Sequence, residues 1–346
     1  MVLFSHEDML PLPLRTFASF LLLVLGLQAT ALAKSKAVFY YVPVEDAWTS
    51  FAAHAEQIHI IAPQVFILDE KGTIHGAVED RVRSLAKQHK IQIMPLLANE
   101  KPEAAHNVLT NQNLRQQVIA DVLRLCEESG CSGLQVDIEG VLLEDTKNFT
   151  EFIRLASKAF HHRHLQLSVA IPTPLIQTTA GITYAEMFNG YAVNPEPFEL
   201  REIAHLADFI SLMTYGEYGV GTPPGPVAGY DWVEQSLRYA LQFVPAKKLS
   251  MGLGFWAYRW CGQKVTYSGY AEVQTLAAQA GASAQWNEPH RAPWFEFDQD
   301  GCHGVAWFEN QRSLQDKLKL VRQYRLHGFS AWRLGQEDPA FWQQTP

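Results

Sequence analysis

A strand-and-helix rhythm runs through nearly the whole chain, and it limits the folds open to it more than any other feature. Short β-rich apolar runs occur at 38–42, 64–68, 91–97, 133–138, 165–171, 209–213, 249–255 and 328–334. Between them lie apolar residues at helical spacing: Val78, Val82 and Leu85; Leu114, Val118, Val122 and Leu125; Phe149, Phe152, Ile153, Ala156 and Phe160; Val233, Leu237 and Ala240; Leu314, Leu318 and Val321. Such alternation buries a parallel sheet beneath helices. Eight repeats over about 250 to 300 residues fit a closed α/β TIM (β/α)8 barrel better than an open doubly wound sheet. The open sheet is the alternative; its GxGxxG phosphate-cradling turn is absent, which also weighs against a nucleotide function.

The rhythm breaks once. Residues 256–309 separate the seventh run from the next helical stretch, too long an interval for a bare loop. A small α+β insertion is expected between the seventh and eighth strands, over about 261–308. Its pieces are a helix in YAEVQTLAAQAG and short strands at 284–286, 294–297 and 305–308. An insertion at this point would stand on the barrel rim and deepen a groove.

The N-terminus has the pattern of an address. FASFLLLVLGL lies between Arg15 and Ala31-Leu32-Ala33, an apolar stretch followed by a small-residue cleavage site. Residues 1–33 are therefore expected to be a signal peptide cut after Ala33, leaving a domain over 34–346 that is exported to a periplasmic or extracellular space. An uncleaved anchor is the competing reading, but Gln28 and Thr30 interrupt the run before it reaches the roughly 18 to 20 apolar residues a span needs. No other segment could cross a membrane. An oxidising destination permits disulfides, and local pairing, Cys126 with Cys131 and Cys261 with Cys302, requires the least loop closure. Other connectivities and free buried thiols stay open. The cysteine spacing does not suit metal ligation, and His161, His162 and His164 read as a solvated helix end; neither metal nor cofactor is expected.

A net charge of -8 argues against nucleic acid as a partner, since phosphate backbones select Lys/Arg-rich faces. The 9 Trp, 12 Tyr and 19 Phe supply flat rings for core packing or for stacking on apolar ligand faces.

In a barrel of this kind the chemistry sits where strands end at the C-terminal face. The fourth strand reads GLQVDIEG, which puts Gln135, Asp137 and Glu139 on one face, towards the barrel interior, and Val136 and Ile138 outward under helices. Two close carboxylates are costly to ionise together, so one pKa should rise, which suits a general acid at neutral pH. No basic residue stands nearby in sequence to make this a salt-bridged structural pair.

GLQVDIEG resembles the fourth-strand signature of glycoside hydrolase family 18, the chitinase-like TIM barrels, whose usual form is DGxDxDxE. Leu212-Met213-Thr214-Tyr215 is similar to the family's sixth-strand MxY, and PPGPVAGYDWVEQSLRYALQFVPAKKLSMGLGFWAYRW resembles its sixth helix and seventh strand. GFSAWRLG resembles the eighth strand with its pocket tryptophan, Trp332. The likeness runs from about Val38 to Trp342, and PPGPVA with WFEN and SLQDKL is most similar to the bacterial spore-cortex-lysin and YaaH-like branch.

The resemblance implies hydrolysis of β-linked glycans that contain N-acetylglucosamine, with the substrate's own acetamido group as nucleophile. It implies Glu139 as the acid, Asp137 as the residue that orients the acetamido group and stabilises developing charge, and Tyr215 as the hydroxyl that holds the acetamido oxygen. Trp332 would floor the sugar site, with Gln135 beside Asp137. Met213, Trp256, Tyr258 and Tyr41 would complete the wall. Glu217 is a further candidate for a polar sugar contact, whereas Glu309 reads as exposed surface. The chain departs from the family pattern at Ser132 and Gln135, where aspartates are usual, at Gly216, where an aspartate often follows the tyrosine, and at Trp256, where tyrosine is common. With Glu139, Asp137 and Tyr215 retained, the expectation is an active, monomeric enzyme of altered preference. The alternative is a glycan-binding protein on the same barrel, and no nucleophile-elbow motif supports Ser/His/Asp chemistry.

Overall fold

The computed structural model describes residues 36–173 and 198–343. The expected signal peptide lies outside the described residues. In chain order the strands are β1 (Lys36–Tyr41), β2 (Ile60–Leu68), β3 (Ile74–His75), β4 (Gln92–Ile93), β5 (Leu96–Asn99), β6 (Gly133–Asp137), β7 (Gln166–Pro172), β8 (Phe209–Met213), β9 (Leu249–Gly254), β10 (Ala257–Cys261), β11 (Lys264–Ser268), β12 (Gln285–Asn287), β13 (Ala292–Gln299), β14 (Cys302–Phe308) and β15 (Gly328–Trp332).

Eight of them close a parallel barrel in the order β1-β2-β5-β6-β7-β8-β9-β15, with β15 pairing back onto β1. All eight correspond to the apolar runs read from sequence. The third run is split at Met94–Pro95, where proline cannot donate to the ladder, so β4 and β5 both pair with β2. Sequence periodicity passes over the helices Glu45–His54, Pro102–Thr110 and Leu200–Leu206.

Two apolar layers follow from strand alternation. Outward residues such as Phe39, Ile61, Val136, Ile138, Val169, Leu212 and Leu253 meet the helices in one continuous core. The helix Thr146–His162 contributes Phe149, Phe152, Ile153, Ala156 and Phe160 to it, matching the expected stripe. Inward residues Val38, Tyr40, Ile60, Ala62, Met94, Leu96 and Phe209 fill one side of the lumen. The other side is polar: Gln135 donates to Ser168 Oγ (3.1 Å) and Ser211 Oγ (2.9 Å), and Ser211 and Ser250 each bond Ser330 at 2.8 Å.

Between β9 and β15 a second, antiparallel sheet runs in the order β11-β10-β14-β13-β12. The helix Tyr270–Ala280 covers one of its faces through Val273 and Leu276. This sheet begins at Ala257, four residues earlier than the sequence reading placed it, because β10 and β11 form a hairpin that the reading passed over. The signal for it was Gly262, whose φ of +60 serves the tight turn between Cys261 and Lys264.

Cys261 and Cys302 form a disulfide with their Cα atoms 6.0 Å apart, tying β10 to the start of β14. The expected Cys126–Cys131 disulfide does not form. Both residues are buried free thiols. Gly130, left-handed at φ +66, ends the helix Gln112–Ser129, and Cys131 N–H donates to Cys126 C=O at 2.9 Å. The backbone thus closes this turn without a covalent link, and Cys126 Sγ faces Gly133 C=O at 3.9 Å.

Candidate active site

The site is assembled at the ends of β1, β5, β6, β8, β9 and β15. Asp137 closes β6 and is buried, 6% exposed. Removal from water pushes its carboxyl pKa well up, and the neighbouring Glu139 charge pushes it further. Glu139 stands two residues past the strand end, with part of its side chain open at the mouth. The surrounding strand ends still displace enough water to raise its pKa. The face that β6 turns inward thus leads to two neighbouring carboxyl groups, as the alternation in GLQVDIEG implied, and both pKa values are raised where the sequence predicted a rise in one.

Tyr215 enters from two residues beyond β8. Burial raises its phenol pKa, and Tyr40, Asp137, Glu139 and Tyr267 all lie near enough to act on it electrostatically. Its ring rests over the backbone of Gly252, where an added Cβ would come within 3.0 Å of Tyr215 Cε1 and 2.6 Å of Leu212 C=O. Glycine on β9 therefore leaves room for the ring. Trp256 backs Tyr215 edge-on at a centroid distance of 5.2 Å.

Trp332, at the end of β15, is half-buried over the apolar side of the lumen and packs on Tyr40 at 5.3 Å. Met213, ending β8, is likewise half-buried. Gln135 lies fully buried one step below Asp137, held by Ser168 and Ser211. An amide in this place binds serines and adds no charge, so the acidic neighbour of Asp137 is Glu139, just past the strand end.

Several sequence expectations are corrected. Tyr41 does not line the pocket: the alternation of β1 turns it outward, where its hydroxyl donates to Glu79 and accepts from Arg81 (3.3 Å), and Phe51 packs on its ring. A one-residue shift in register reverses the face of every side chain, and it is Tyr40 that points inward. The Tyr40 hydroxyl faces Gln135, Ser211, Ser330 and the Asp137 charge, and burial raises its pKa. Trp256 is buried, 5% exposed, so it buttresses Tyr215 and does not form an open wall. Tyr258 remains half-buried on the insertion sheet, beside Tyr267 at 6.0 Å.

Glu217 is held away from Asp137 and Glu139. Its Oε2 accepts the Gly229 N–H at 2.6 Å, at the start of the helix Tyr230–Ala240, and its charged neighbours are Asp231, Lys317 and Glu309. Burial raises its pKa to about 7. Glu309, expected on the surface, is buried at 1% exposure and ion-paired to Lys317 Nζ at 2.7 Å. Gly216 takes φ +79, a conformation in which an aspartate would be strained. Ser132 lies before β6, at the end of the strand away from the mouth.

Sequence reading missed three participants. Tyr40 was hidden by register. Tyr267, 42% exposed, stacks on Trp256 at 5.7 Å from the overlooked hairpin. Asn99, the last residue of β5, binds the main chain of Glu139 from both sides: its Oδ1 accepts the Glu139 N–H at 2.8 Å and its Nδ2 donates to the Glu139 C=O at 3.0 Å. An asparagine ending an apolar strand was the available signal.

A closed parallel barrel with paired acids at the end of its fourth strand and a tyrosine beyond its sixth defines a class of glycan-cleaving enzymes. The family description Glycosyl hydrolases family 18 matches residues 36–337, and the chain belongs to that family: it is a glycoside hydrolase. Among similar proteins is the uncharacterized glycosylase YvbX of Bacillus subtilis (strain 168), 25% identical over 309 residues, or 85% of this chain and 86% of that one. The cortical fragment-lytic enzyme of the same organism is 26% identical over 290 residues; the match takes in 80% of this chain and 64% of that longer protein. The crystal structure of a chitinase from Chromobacterium violaceum superposes with a TM-score of 0.79 at 26% identity, covering 90% of this chain and 98% of that one.

Proposed function

We propose that the protein is an exported, monomeric hydrolase of β-linked glycans containing N-acetylglucosamine, such as peptidoglycan fragments or chitin-like oligomers, and that it works by substrate-assisted retaining catalysis. The observation that carries this reading is the convergence of Tyr215 on Asp137 and Glu139 at one mouth. Kinship with a chitinase and with a cortical fragment-lytic enzyme supports it. No helix among the described residues is long and apolar enough to cross a membrane.

In the first step the Glu139 carboxylic acid gives its proton to the glycosidic oxygen as the bond to C1 breaks. The acetamido carbonyl oxygen of the same sugar bonds to C1, closing an oxazolinium ring whose positive charge the Asp137 carboxylate balances. Tyr215 holds that carbonyl oxygen in line for attack. In the second step the Glu139 carboxylate takes a proton from water, whose oxygen attacks C1 and reopens the ring. The anomeric configuration is retained and Glu139 regains its proton. Trp332 offers its indole face beneath the reacting sugar.

The test is hydrolysis of defined peptidoglycan fragments and chitooligosaccharides by wild type and Glu139→Gln, with the anomer of the first product read by NMR. Retained configuration in the wild type and loss of turnover in the variant are expected. Initial inversion would overturn the mechanism, and failure of the wild type on every such glycan would overturn the substrate class.

A further inference from the structure

The acid Glu139 lies outside the sheet that is meant to position it. The parallel ladder between β5 and β6 ends at the Ala98–Asp137 pair, two residues short of Glu139. Beyond that point no strand partner among the described residues holds the Glu139 main chain, and a backbone free to rotate there would swing the carboxyl through the mouth. The side chain of Asn99 takes over from the ladder. While the Asn99 main chain pairs with Leu68 on β2, its amide reaches sideways to both polar groups of the Glu139 backbone. The third bond, from Nδ2 to the Lys101 C=O at 2.9 Å, fixes which end of the amide is which: two carbonyls surround the nitrogen and one N–H meets the oxygen. Immediately afterwards Gly140 turns at φ +69 against Pro102, whose Cγ would lie 2.8 Å from an added Cβ. Glu139 is thereby confined between an amide clamp and an abrupt turn.

We infer that Asn99 is a positioning residue for the general acid: its amide replaces the missing strand ladder and sets where the Glu139 carboxyl stands relative to the scissile oxygen. No other side chain of similar size does both jobs. Aspartate has the shape but no donor, and it would set a negative charge against the Glu139 C=O; alanine leaves both Glu139 groups to water.

The inference rests on the assignment of Glu139 as acid, and the experiment separates the two. Wild type, Asn99→Ala, Asn99→Asp and Glu139→Gln are compared on a chitobioside with a sugar leaving group and on one with a dinitrophenyl leaving group, which departs without protonation. Misplacing an acid by a fraction of an ångström should lower kcat on the sugar leaving group about 10- to 100-fold, with KM changed by no more than about twofold. The dinitrophenyl substrate should lose only a few-fold. In Asn99→Asp the added charge should also move the alkaline limb of the kcat profile upward. Equal losses on both substrates, a change confined to KM, or unchanged rates in both Asn99 variants would overturn the positioning role. If Asn99→Ala does not fold, the leaving-group contrast in Asn99→Asp decides alone. Should Glu139→Gln show no leaving-group contrast, the acid assignment itself falls; should it show one while the Asn99 variants do not, only the present inference falls.

Discussion

Glu309 and Asp137 are both carboxylates taken out of water, one where the insertion rejoins the barrel and the other in the barrel lumen, and they differ in whether a cation accompanies them. Glu309 receives Lys317 Nζ on both oxygens, at 2.8 and 2.7 Å, and the Ser313 hydroxyl at 2.6 Å. Asp137 has no ion pair among the described residues, and its close charged neighbour is another acid. Burial pushes both carboxyl pKa values up, but at Glu309 the Lys317 charge and the Ser313 hydroxyl pull the other way, whereas at Asp137 the Glu139 charge adds to the push. The contrast sets the Asp137–Glu139 pair apart from the ion-paired Glu309. Glu217 stands between the two cases, buried with a backbone donor and a more distant lysine.

The comparison can be broken at several points. The largest effect is expected at the uncompensated end, where Glu139→Gln should cost about 10²- to 10⁴-fold in kcat with thermal stability unchanged or raised. The reverse is expected at the compensated end. Lys317→Met strands the Glu309 charge and should destabilise by about 3–5 kcal/mol in urea unfolding, while the Lys317→Met/Glu309→Met pair should recover most of it. Activity of the folded fraction should not follow either change.

Glu217 gives a smaller, pH-dependent effect. Its folded-state pKa of about 7 lies above the ordinary 4.5, so folding takes up a proton. Its contribution to stability is greatest below 4.5, declines as pH rises towards 7 and is flat above it. Glu217→Gln should flatten that window in unfolding curves measured across it, and an unchanged slope would place the titration elsewhere.

The smallest effect concerns the insertion. Tyr267, Tyr258, Trp307 and Trp294 occupy directly paired positions across β11, β10, β14 and β13, one row on the sheet face away from the helix Tyr270–Ala280. If long glycans lie along this row, Trp294→Ala should raise KM for long oligomers by about three- to tenfold, within the range of one lost aromatic contact, and leave short ones unaffected. Equal KM for both lengths would confine binding to the barrel.

The readable parts of this protein were those governed by local period. Eight strands and the main helices announced themselves because a strand buried beneath helices must be apolar and a covering helix must be amphipathic. The i, i+2, i+4 spacing in GLQVDIEG put Gln135, Asp137 and Glu139 on one face for the same reason. Tyr41 was misread because two adjacent tyrosines carry no mark of which one faces inward; that depends on how β1 registers with β2 and β15. Trp256 was taken for an open wall because residue type does not report what packs on it.

The sequence by itself determined the barrel, the insertion and the placing of Asp137 and Glu139 side by side after the fourth strand, since periodicity and residue spacing are properties of neighbours along the chain. Only the tertiary structure decided which carboxylates have a cation. Lys317 reaches Glu309 from two turns into the following helix, and Asn99 reaches Glu139 across forty positions of sequence. The first depends on how the helix folds back on the segment before it and the second on the pairing of β5 with β6, and neither placement is encoded by a local period.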